Sequence, residues 1–263
     1  MLGTVSITRD GDIATVTLSN PGRMNALDRA MMMSLGDTFE ELARDVSLRV
    51  IVLTGAQHEG EKPAFAAGAN IAEFERERSD VEQARVYGGY LHRVLLTITA
   101  CPHPVVAMIN GACVGGGLEI AASCDMRICG ESSRFGVPVK NLGLVMAYGE
   151  LKGLVELVGR AVALEIVLEG RVFGALEAKD KGLVNRVVPD DKVKDESYAT
   201  ARRIAEGAPL AARWHKKFAH RLADPRPLSA DEYDESFACF GTEDYKEGVA
   251  AFLAKRKPVF KGT

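Results

Sequence analysis

The sequence predicts an α/β fold with a mainly parallel sheet at its centre, and three observations lead to this prediction. Two apolar, β-branched runs, at residues 49–55 and 104–109, are typical of strands buried on both faces. Amphipathic helical patterns alternate with the strand patterns, as parallel strands require. Beyond Glu150 the chain becomes largely helical. We therefore expect an α/β core followed by helices.

The N-terminal segment predicts a β-hairpin and then a helix. Residues 5–8 and 13–18 alternate apolar and polar side chains, and Asp10-Gly11 between them suits a turn with positive φ. Asp28 follows a loop and precedes apolar residues at helical spacing, so we expect it to cap a helix.

The elements after the first helix are predicted in the same way from periodicity and breakers. In chain order they are a strand at 49–55, a polar loop at 56–63, a small-residue turn at 64–74, a helix from 81 capped by Asp80, strands at 104–109 and 125–129, a loop at 135–148, helices at 151–158, 163–168 and 176–181, a strand at 184–189, and helices from 193 broken near 208–209 and 224–227.

Composition limits the kinds of partner. The 263 residues are 47% hydrophobic and 26% charged, and the formal net charge of −3 gives no basic field for nucleic acid. No apolar run reaches membrane-spanning length, and neither the five cysteines nor the five histidines show metal-ligand spacing. Four cysteines lie in apolar surroundings, as buried thiols of a reducing compartment do. We expect a cytoplasmic protein without a nucleic-acid, membrane or metal partner.

The rest of the chain is organised around residues 104–122. An apolar run passes through Gly111 and the triplet Gly115-Gly116-Gly117, and then becomes a helical pattern that contains Glu119. Glycines let the backbone approach a bound group closely, and the first N–H groups of a helix have no internal partners. A carboxylate beside such donors favours proton transfer next to a polarised carbonyl. The alternative is a tight packing turn with a solvated glutamate. The spacing fits neither a Walker loop nor a dinucleotide-binding fingerprint.

A series of motifs along nearly the whole chain resembles the crotonase (enoyl-CoA hydratase/isomerase) superfamily. The order and spacing of these motifs make the resemblance specific, although each one is weak. They lie at residues 20–27, 65–71, 109–111, 115–119, 124–125, 169–171, 178–184 and 252–260.

The resemblance implies a crotonase-like spiral of ββα units. It also implies trimers, often paired into hexamers, and coenzyme A thioesters as substrates, with no cofactor besides the coenzyme A of the substrate. On this basis we expect residues 1–192 to form the core with the thioester site, and residues 193–263 to form a C-terminal helical trimerisation region.

The resemblance also implies roles for individual residues. In similar proteins two backbone N–H groups hold the thioester carbonyl, at positions that match Ala69 and Gly116, and a glutamate matching Glu119 moves a proton. Backbone amides on short turns provide such donors without side-chain entropy. The residues expected to contact the substrate or its coenzyme A are Arg23, Ala67, Gly68, Ala69, Ile71, Gly115 and Gly116.

The sequence departs from the family pattern after Phe135. Hydratases of the family carry a second glutamate after the proline of this motif, and here Val139 follows Pro138. Because valine cannot exchange a proton, we expect reduced or altered hydratase activity. Tyr148 or Glu150, in the unusual loop that follows, are the candidates for a replacement, although both are also suited to facing solvent or capping the next helix.

Several functions remain open at this stage. The leading hypothesis is an enzyme that stabilises an enolate of an acyl-CoA or enoyl-CoA thioester. Hydration, double-bond isomerisation, decarboxylation and thioester hydrolysis all remain open as the reaction. A catalytically weak acyl-CoA-binding protein is the alternative from another class.

Overall fold

Two β-sheets of different size organise the chain, which the computed structural model describes from residue 2 to residue 263. The larger sheet has the strand order β1-β2-β3-β5-β7-β10, and the smaller has the order β4-β6-β8-β9. The strands are β1 (Thr4–Asp10), β2 (Ile13–Ser19), β3 (Val50–Gly55), β4 (Ala64–Ala66), β5 (Val105–Ile109), β6 (Ala112–Val114), β7 (Met126–Gly130), β8 (Arg134–Gly136), β9 (Phe173–Gly174) and β10 (Arg186–Val188).

The helices connect these strands and dominate the C-terminal part of the chain. The longest, α5, bends at Gly159, whose φ is 75°. The helices are α1 (Arg29–Arg44), α2 (Phe74–Glu77), α3 (Val81–Ala100), α4 (Gly116–Ala122), α5 (Tyr148–Glu169), α6 (Ala175–Asp180), α7 (Val193–Ala205), α8 (Pro209–Leu222), α9 (Ala230–Glu235) and α10 (Glu243–Leu253).

A ββα unit occurs three times in succession between β3 and α5. In each unit one strand joins the larger sheet, the next strand joins the smaller sheet, and a helix follows. The strands contributed by successive units pair in parallel in both sheets. The carboxyl ends of the short strands β4 and β6 therefore lie side by side.

Helices cover both faces of the larger sheet, which explains why its central strands are continuously apolar. In β3, Ile51 and Leu53 pack with α1 and α3, while Val50 and Val52 pack with α7. All four side chains are fully buried. Since α7 begins at Val193, the first helix of the C-terminal region is packed against the sheet. The division of the chain at residue 193 stays a prediction.

Most of the predicted elements are confirmed. The hairpin pairs antiparallel from Thr4↔Ser19 to Asp10↔Ile13. Asp28 caps α1 by accepting a hydrogen bond from the Met31 backbone N–H at 2.8 Å, and Asp80 caps α3 in the same way.

The prediction was wrong within residues 104–122, where the buried strand was expected to lead directly into a helix. A second strand, β6, lies between β5 and α4 and belongs to the other sheet. Gly111 makes this change of sheet possible, because its φ is +71° and a Cβ there would lie 1.8 Å from the Pro63 carbonyl oxygen.

The expected environment of the cysteines is confirmed for four of them. Cys101, Cys113, Cys124 and Cys129 are unpaired and buried. Burial raises the pKa of the Cys124 thiol to about 12. Across residues 2–263, none of the helices combines the length and the apolar character needed to cross a membrane.

Candidate active site

Two backbone turns meet where β4 and β6 end. The first turn follows β4 at residues 67–70, and the second follows β6 at residues 115–117. A Cβ built on Gly116 would lie 3.9 Å from the Ala69 backbone nitrogen, and one built on Gly68 would lie 3.8 Å from the Gly116 nitrogen. Gly115 has a φ of +53°, and a Cβ on Gly117 would lie 2.2 Å from the Ala66 carbonyl oxygen. The second turn thus needs glycine both for its conformation and for its close contact with β4.

The N–H groups of Ala69 and Gly116, one in each turn, are left free, although backbone groups beside them are hydrogen-bonded. Leu27 donates to the Gly68 carbonyl and accepts from the Asn70 N–H, both at 2.7 Å. Gly115 donates to the Gly136 carbonyl at 2.8 Å, whereas the N–H groups of Ala69 and Gly116 have no acceptor among residues 2–263. The backbone is therefore fixed, and two adjacent donors remain available to a ligand.

Glu119 lies on the first turn of α4, immediately behind these donors. Its side chain is buried, and its Oε2 atom has no hydrogen-bond partner within the described chain. Burial, with a smaller contribution from the charge of Glu150, raises the pKa of Glu119 to about 8, against a small opposing effect of Arg78. At neutral pH the Glu119 carboxyl is therefore largely protonated and can donate a proton.

The two turns and Glu119 line a cavity of about 310 Å³. This volume lies at the lower end of the range for small-molecule sites, about 300–1,000 Å³. The rest of the wall is mainly apolar, and the charged side chains among its described residues are Arg78 and Glu150. The lining residues used below are Ala67, Gly68, Ala69, Ile71, Phe74, Arg78, Tyr87, Gly115, Gly116, Glu119, Val139 and Glu150.

The segment after β8 brings both Val139 and Glu150 to this cavity. Glu150 also caps α5, because its Oε2 atom accepts a hydrogen bond from the Ala147 backbone N–H at 2.8 Å. Tyr148 is 97% exposed and does not line the cavity. Of the two side chains considered as replacements for a second glutamate, Glu150 is the one that faces the site.

The structure brings together all but one of the residues that the sequence assigned to the site. Arg23 is exposed and does not line the cavity. Its Nη1 atom donates to the Asn70 side chain at 2.7 Å, so Arg23 lies just outside the first turn. The binding roles given to these residues stay predictions.

Sequence reasoning missed Arg78 and Tyr87. Both line the cavity, although they come from the end of α2 and from α3. No spacing pattern pointed to them, because their approach depends on how α2 folds back over α3. The signal in the sequence that could have found them is an arginine, Arg78, that lies within ten residues of the aromatic residues Phe74 and Tyr87.

Comparisons with known proteins give a consistent result. The sequence matches the family described as enoyl-CoA hydratase/isomerase over residues 8–263. It is 34% identical to the short-chain-enoyl-CoA hydratase of Clostridium acetobutylicum over 258 residues, 97% of each chain. It is 35% identical to probable enoyl-CoA hydratase 2, mitochondrial, of Arabidopsis thaliana, over 96% of this chain and 83% of that protein. A solved structure from Magnetospirillum magneticum, described as an enoyl-CoA hydratase/carnithine racemase, has a TM-score of 0.95 and 52% identity, covering 98% of this chain and 96% of that one.

Proposed function

The chain belongs to the enoyl-CoA hydratase/isomerase family, and from that premise we propose that Glu119 transfers a proton at the carbon next to the carbonyl of an enoyl-CoA thioester. The observation that carries this proposal is the buried carboxyl of Glu119, whose Oε2 atom has no partner in the described chain and which shares a cavity with two unused backbone donors. A proton donor is useful only where a reacting atom can reach it.

The N–H groups of Ala69 and Gly116 form the proposed oxyanion hole. When a proton moves at the carbon next to a thioester carbonyl, negative charge develops on the carbonyl oxygen. Two donors fixed by the surrounding backbone stabilise that charge without reorganising, and losing one donor of this kind typically costs about 10²–10³-fold in rate.

The coenzyme A part of the substrate is proposed to leave the cavity along the first turn. Ala67, Gly68, Ile71 and Gly115 line the cavity, and the three small residues among them leave room for a narrow arm. Arg23, exposed beside Asn70, is placed to meet phosphate groups outside the cavity. The substrate thioester supplies the only coenzyme in this proposal.

Hydration of a conjugated thioester is proposed to be slow compared with relatives that carry a glutamate at the position of Val139. Water must be activated at Cβ while a proton is delivered to Cα, and each acid–base group contributes about 10²–10⁴-fold. Val139 cannot activate water. Reactions that need a single proton relay, such as double-bond isomerisation, are not affected by this loss.

A second candidate, hydration by the pair Glu119 and Glu150, is favoured by the position of Glu150 in the cavity wall. Glu119 would donate the proton, and the Glu150 carboxylate would activate water. The cap to Ala147 occupies one Glu150 oxygen, which limits this role. Glu150→Gln keeps an acceptor for the cap, so a loss of hydration with α5 intact would support the pair. An unchanged hydration rate would exclude it.

The proposed function is tested with crotonyl-CoA and butyryl-CoA. Calorimetry is expected to show saturable binding of both thioesters. In D₂O, mass spectrometry is expected to show deuterium at Cα of the recovered thioester. Absence of binding at millimolar ligand, together with absence of deuterium uptake, would overturn the assignment. Loss of the conjugated absorbance of crotonyl-CoA measures hydration in the same samples.

We propose a homotrimer or a dimer of trimers, in which residues 193–263 contribute the contacts between subunits. Cytoplasmic location is supported by the four unpaired, buried cysteines, which are typical of reducing compartments.

A further inference from the structure

The cavity contains a positive charge that the proposed chemistry does not use. Arg78 is the one cationic residue among the described residues that line the cavity. Its guanidinium carbon lies 4.5 Å from the centre of the Phe74 ring and 5.2 Å from the centre of the Tyr87 ring. These cation–π contacts hold the group in place. Its side chain makes no hydrogen bond or ion pair with any part of the chain that the structure describes, although five N–H groups are available.

Tyr87 supplies a second polar group without a partner in the same wall. The side chain is 3% exposed, and its buried hydroxyl has no hydrogen-bond partner within residues 2–263. Its ring packs edge-on against Phe74 at 6.1 Å between ring centres. A buried hydroxyl without a partner costs stability, and such groups in native proteins call for an explanation.

An apolar acyl chain does not satisfy either group. Filling the cavity with hydrocarbon would remove water from the guanidinium and leave both sets of donors unpaired, which is unfavourable. A carboxylate accepts bidentate hydrogen bonds from arginine and has further lone pairs for a hydroxyl. Glu150, on the same wall, and Glu73, whose charge raises the pKa of Tyr87, would repel an anion placed beside them, so such a carboxylate belongs at the Arg78 guanidinium.

Arg78 lies on the side of the cavity that the acyl chain would occupy. The coenzyme A arm is proposed to leave past Ala67 and Ile71 toward Arg23, while the reacting carbons lie at Glu119. The charge of Arg78 acts on Glu119, where it opposes the larger effects of burial and of Glu150 on the pKa. The guanidinium therefore shares the cavity with Glu119 and is within reach of the far end of a short acyl chain whose reacting carbons lie at Glu119.

We propose that Arg78, with the Tyr87 hydroxyl, forms a subsite for a carboxylate at the far end of the acyl chain, so that the preferred substrates are coenzyme A thioesters of dicarboxylic acids. This inference rests on the proposed function, since it assumes that the cavity holds the acyl group of a thioester. It adds the chemical class of that acyl group.

The test compares binding of saturated thioesters that differ at the chain end. Calorimetry is performed with glutaryl-CoA and adipyl-CoA, and with pentanoyl-CoA and hexanoyl-CoA as neutral ligands of matching length. The native protein is expected to bind at least one dicarboxylic thioester roughly 10- to 100-fold more tightly than its neutral counterpart, the range for hydrogen bonds to charged groups. Equal or tighter binding of the neutral ligands at both lengths would overturn the inference.

Three variants locate the effect. Arg78→Gln is expected to reduce the preference to near one, and Tyr87→Phe to reduce it several-fold. Arg76→Gln, which changes an exposed arginine of the same short helix, is expected to leave the preference intact. A preference that survives in Arg78→Gln would overturn the subsite. If none of the four thioesters binds, the proposed function fails and this inference fails with it, whereas equal binding of all four removes the subsite alone.

Discussion

Burial of Glu119 combines an energetic cost with a chemical use. Its Oε2 atom has no hydrogen-bond partner in the described chain, and its pKa is raised to about 8, chiefly by burial. A group kept protonated in this way can deliver a proton at neutral pH, which an exposed glutamate cannot do efficiently. A loss of folding stability of this kind is typical of residues that serve the function of a protein.

The raised pKa of Glu119 predicts a specific dependence of stability on pH. The folded state holds a proton that the unfolded chain releases near the ordinary value of 4.5, so stability falls as pH rises from there to about 8. Each pKa unit is worth about 1.4 kcal/mol. Glu119→Gln removes this dependence. Thermal unfolding of both proteins from pH 5 to pH 9 checks it.

The quantity compared is the difference in melting temperature between Glu119→Gln and the native protein at each pH. Other titrating groups, such as His103, whose buried imidazole has a pKa lowered to about 4, contribute equally to both. The variant is expected to gain in melting temperature relative to the native protein as pH rises. Parallel curves would show that the Glu119 carboxyl is not shifted.

The turns at the ends of β4 and β6 show how far the sequence could predict an element. The glycine triplet and the alanine-rich turn were recognised as backbone donors. The change of sheet at Gly111 was not, because β4, β6 and β8 contain three residues each and show no periodicity. The two turns become neighbours through parallel pairing of these short strands, which is a tertiary effect.

The contact between α4 and β4 predicts that Gly117→Ala disturbs the site. The added methyl would lie 2.2 Å from the Ala66 carbonyl oxygen, so either the helix or the strand must move. Overpacking of this kind costs about 1–3 kcal/mol, and it would displace the neighbouring Gly116 N–H. We expect lower stability and at least tenfold slower turnover, measured by urea unfolding and by Cα deuterium uptake.

Gly153→Ala is the matched control. Gly153 lies within α5, and the nearest atom to an added Cβ would be the Ser123 hydroxyl oxygen at 3.9 Å. Because alanine favours helices over glycine by up to about 1 kcal/mol, this variant is expected to be as stable as the native protein or more so, with normal turnover. Equal behaviour of the two variants would contradict the packing described for Gly117.

The segment after β8 predicts that Val139→Glu increases hydration. Val139 already lines the cavity, so a carboxylate there would stand opposite Glu119 with access to Cβ. We expect at least a tenfold faster loss of the conjugated absorbance of crotonyl-CoA. Tyr148→Glu places a carboxylate elsewhere in the same segment, at a position that is 97% exposed and does not line the cavity, and serves as the control. No gain in Val139→Glu, or the same gain in both, would show that position 139 does not face Cβ.

At the scale of the whole molecule, exposed apolar side chains concentrate in the C-terminal region. Phe252 is 83% exposed and Leu253 is 75% exposed, and both lie at the end of α10. Clustered large apolar residues on a surface are typical of protein–protein contacts. Light scattering is expected to give three or six times the 28.3 kDa mass of the chain, and less for Phe252→Glu. A monomer at micromolar concentration would contradict the proposed assembly.

The overall architecture was predictable to the extent that it depends on buried strands and on family motifs. The α/β core, the hairpin and the helical C-terminal part all follow from patterns in the sequence. The wall contributed by α2 and α3 did not follow, since Arg78 and Tyr87 reach the cavity through packing between helices. Glu150 was visible as a candidate, but its choice over Tyr148 required the geometry of the cavity, which Glu150 lines and Tyr148 does not.

The most direct test of the central claim is the rate of deuterium uptake at Cα in Glu119→Gln, measured beside the dissociation constant of the same thioester. Glutamine keeps the shape of the side chain and removes the transferable proton. The proposed role predicts uptake slower by about 10²–10⁴-fold, with a dissociation constant unchanged within a few-fold. Uptake at the native rate in the correctly folded variant would contradict it and would assign Glu119 to structure alone.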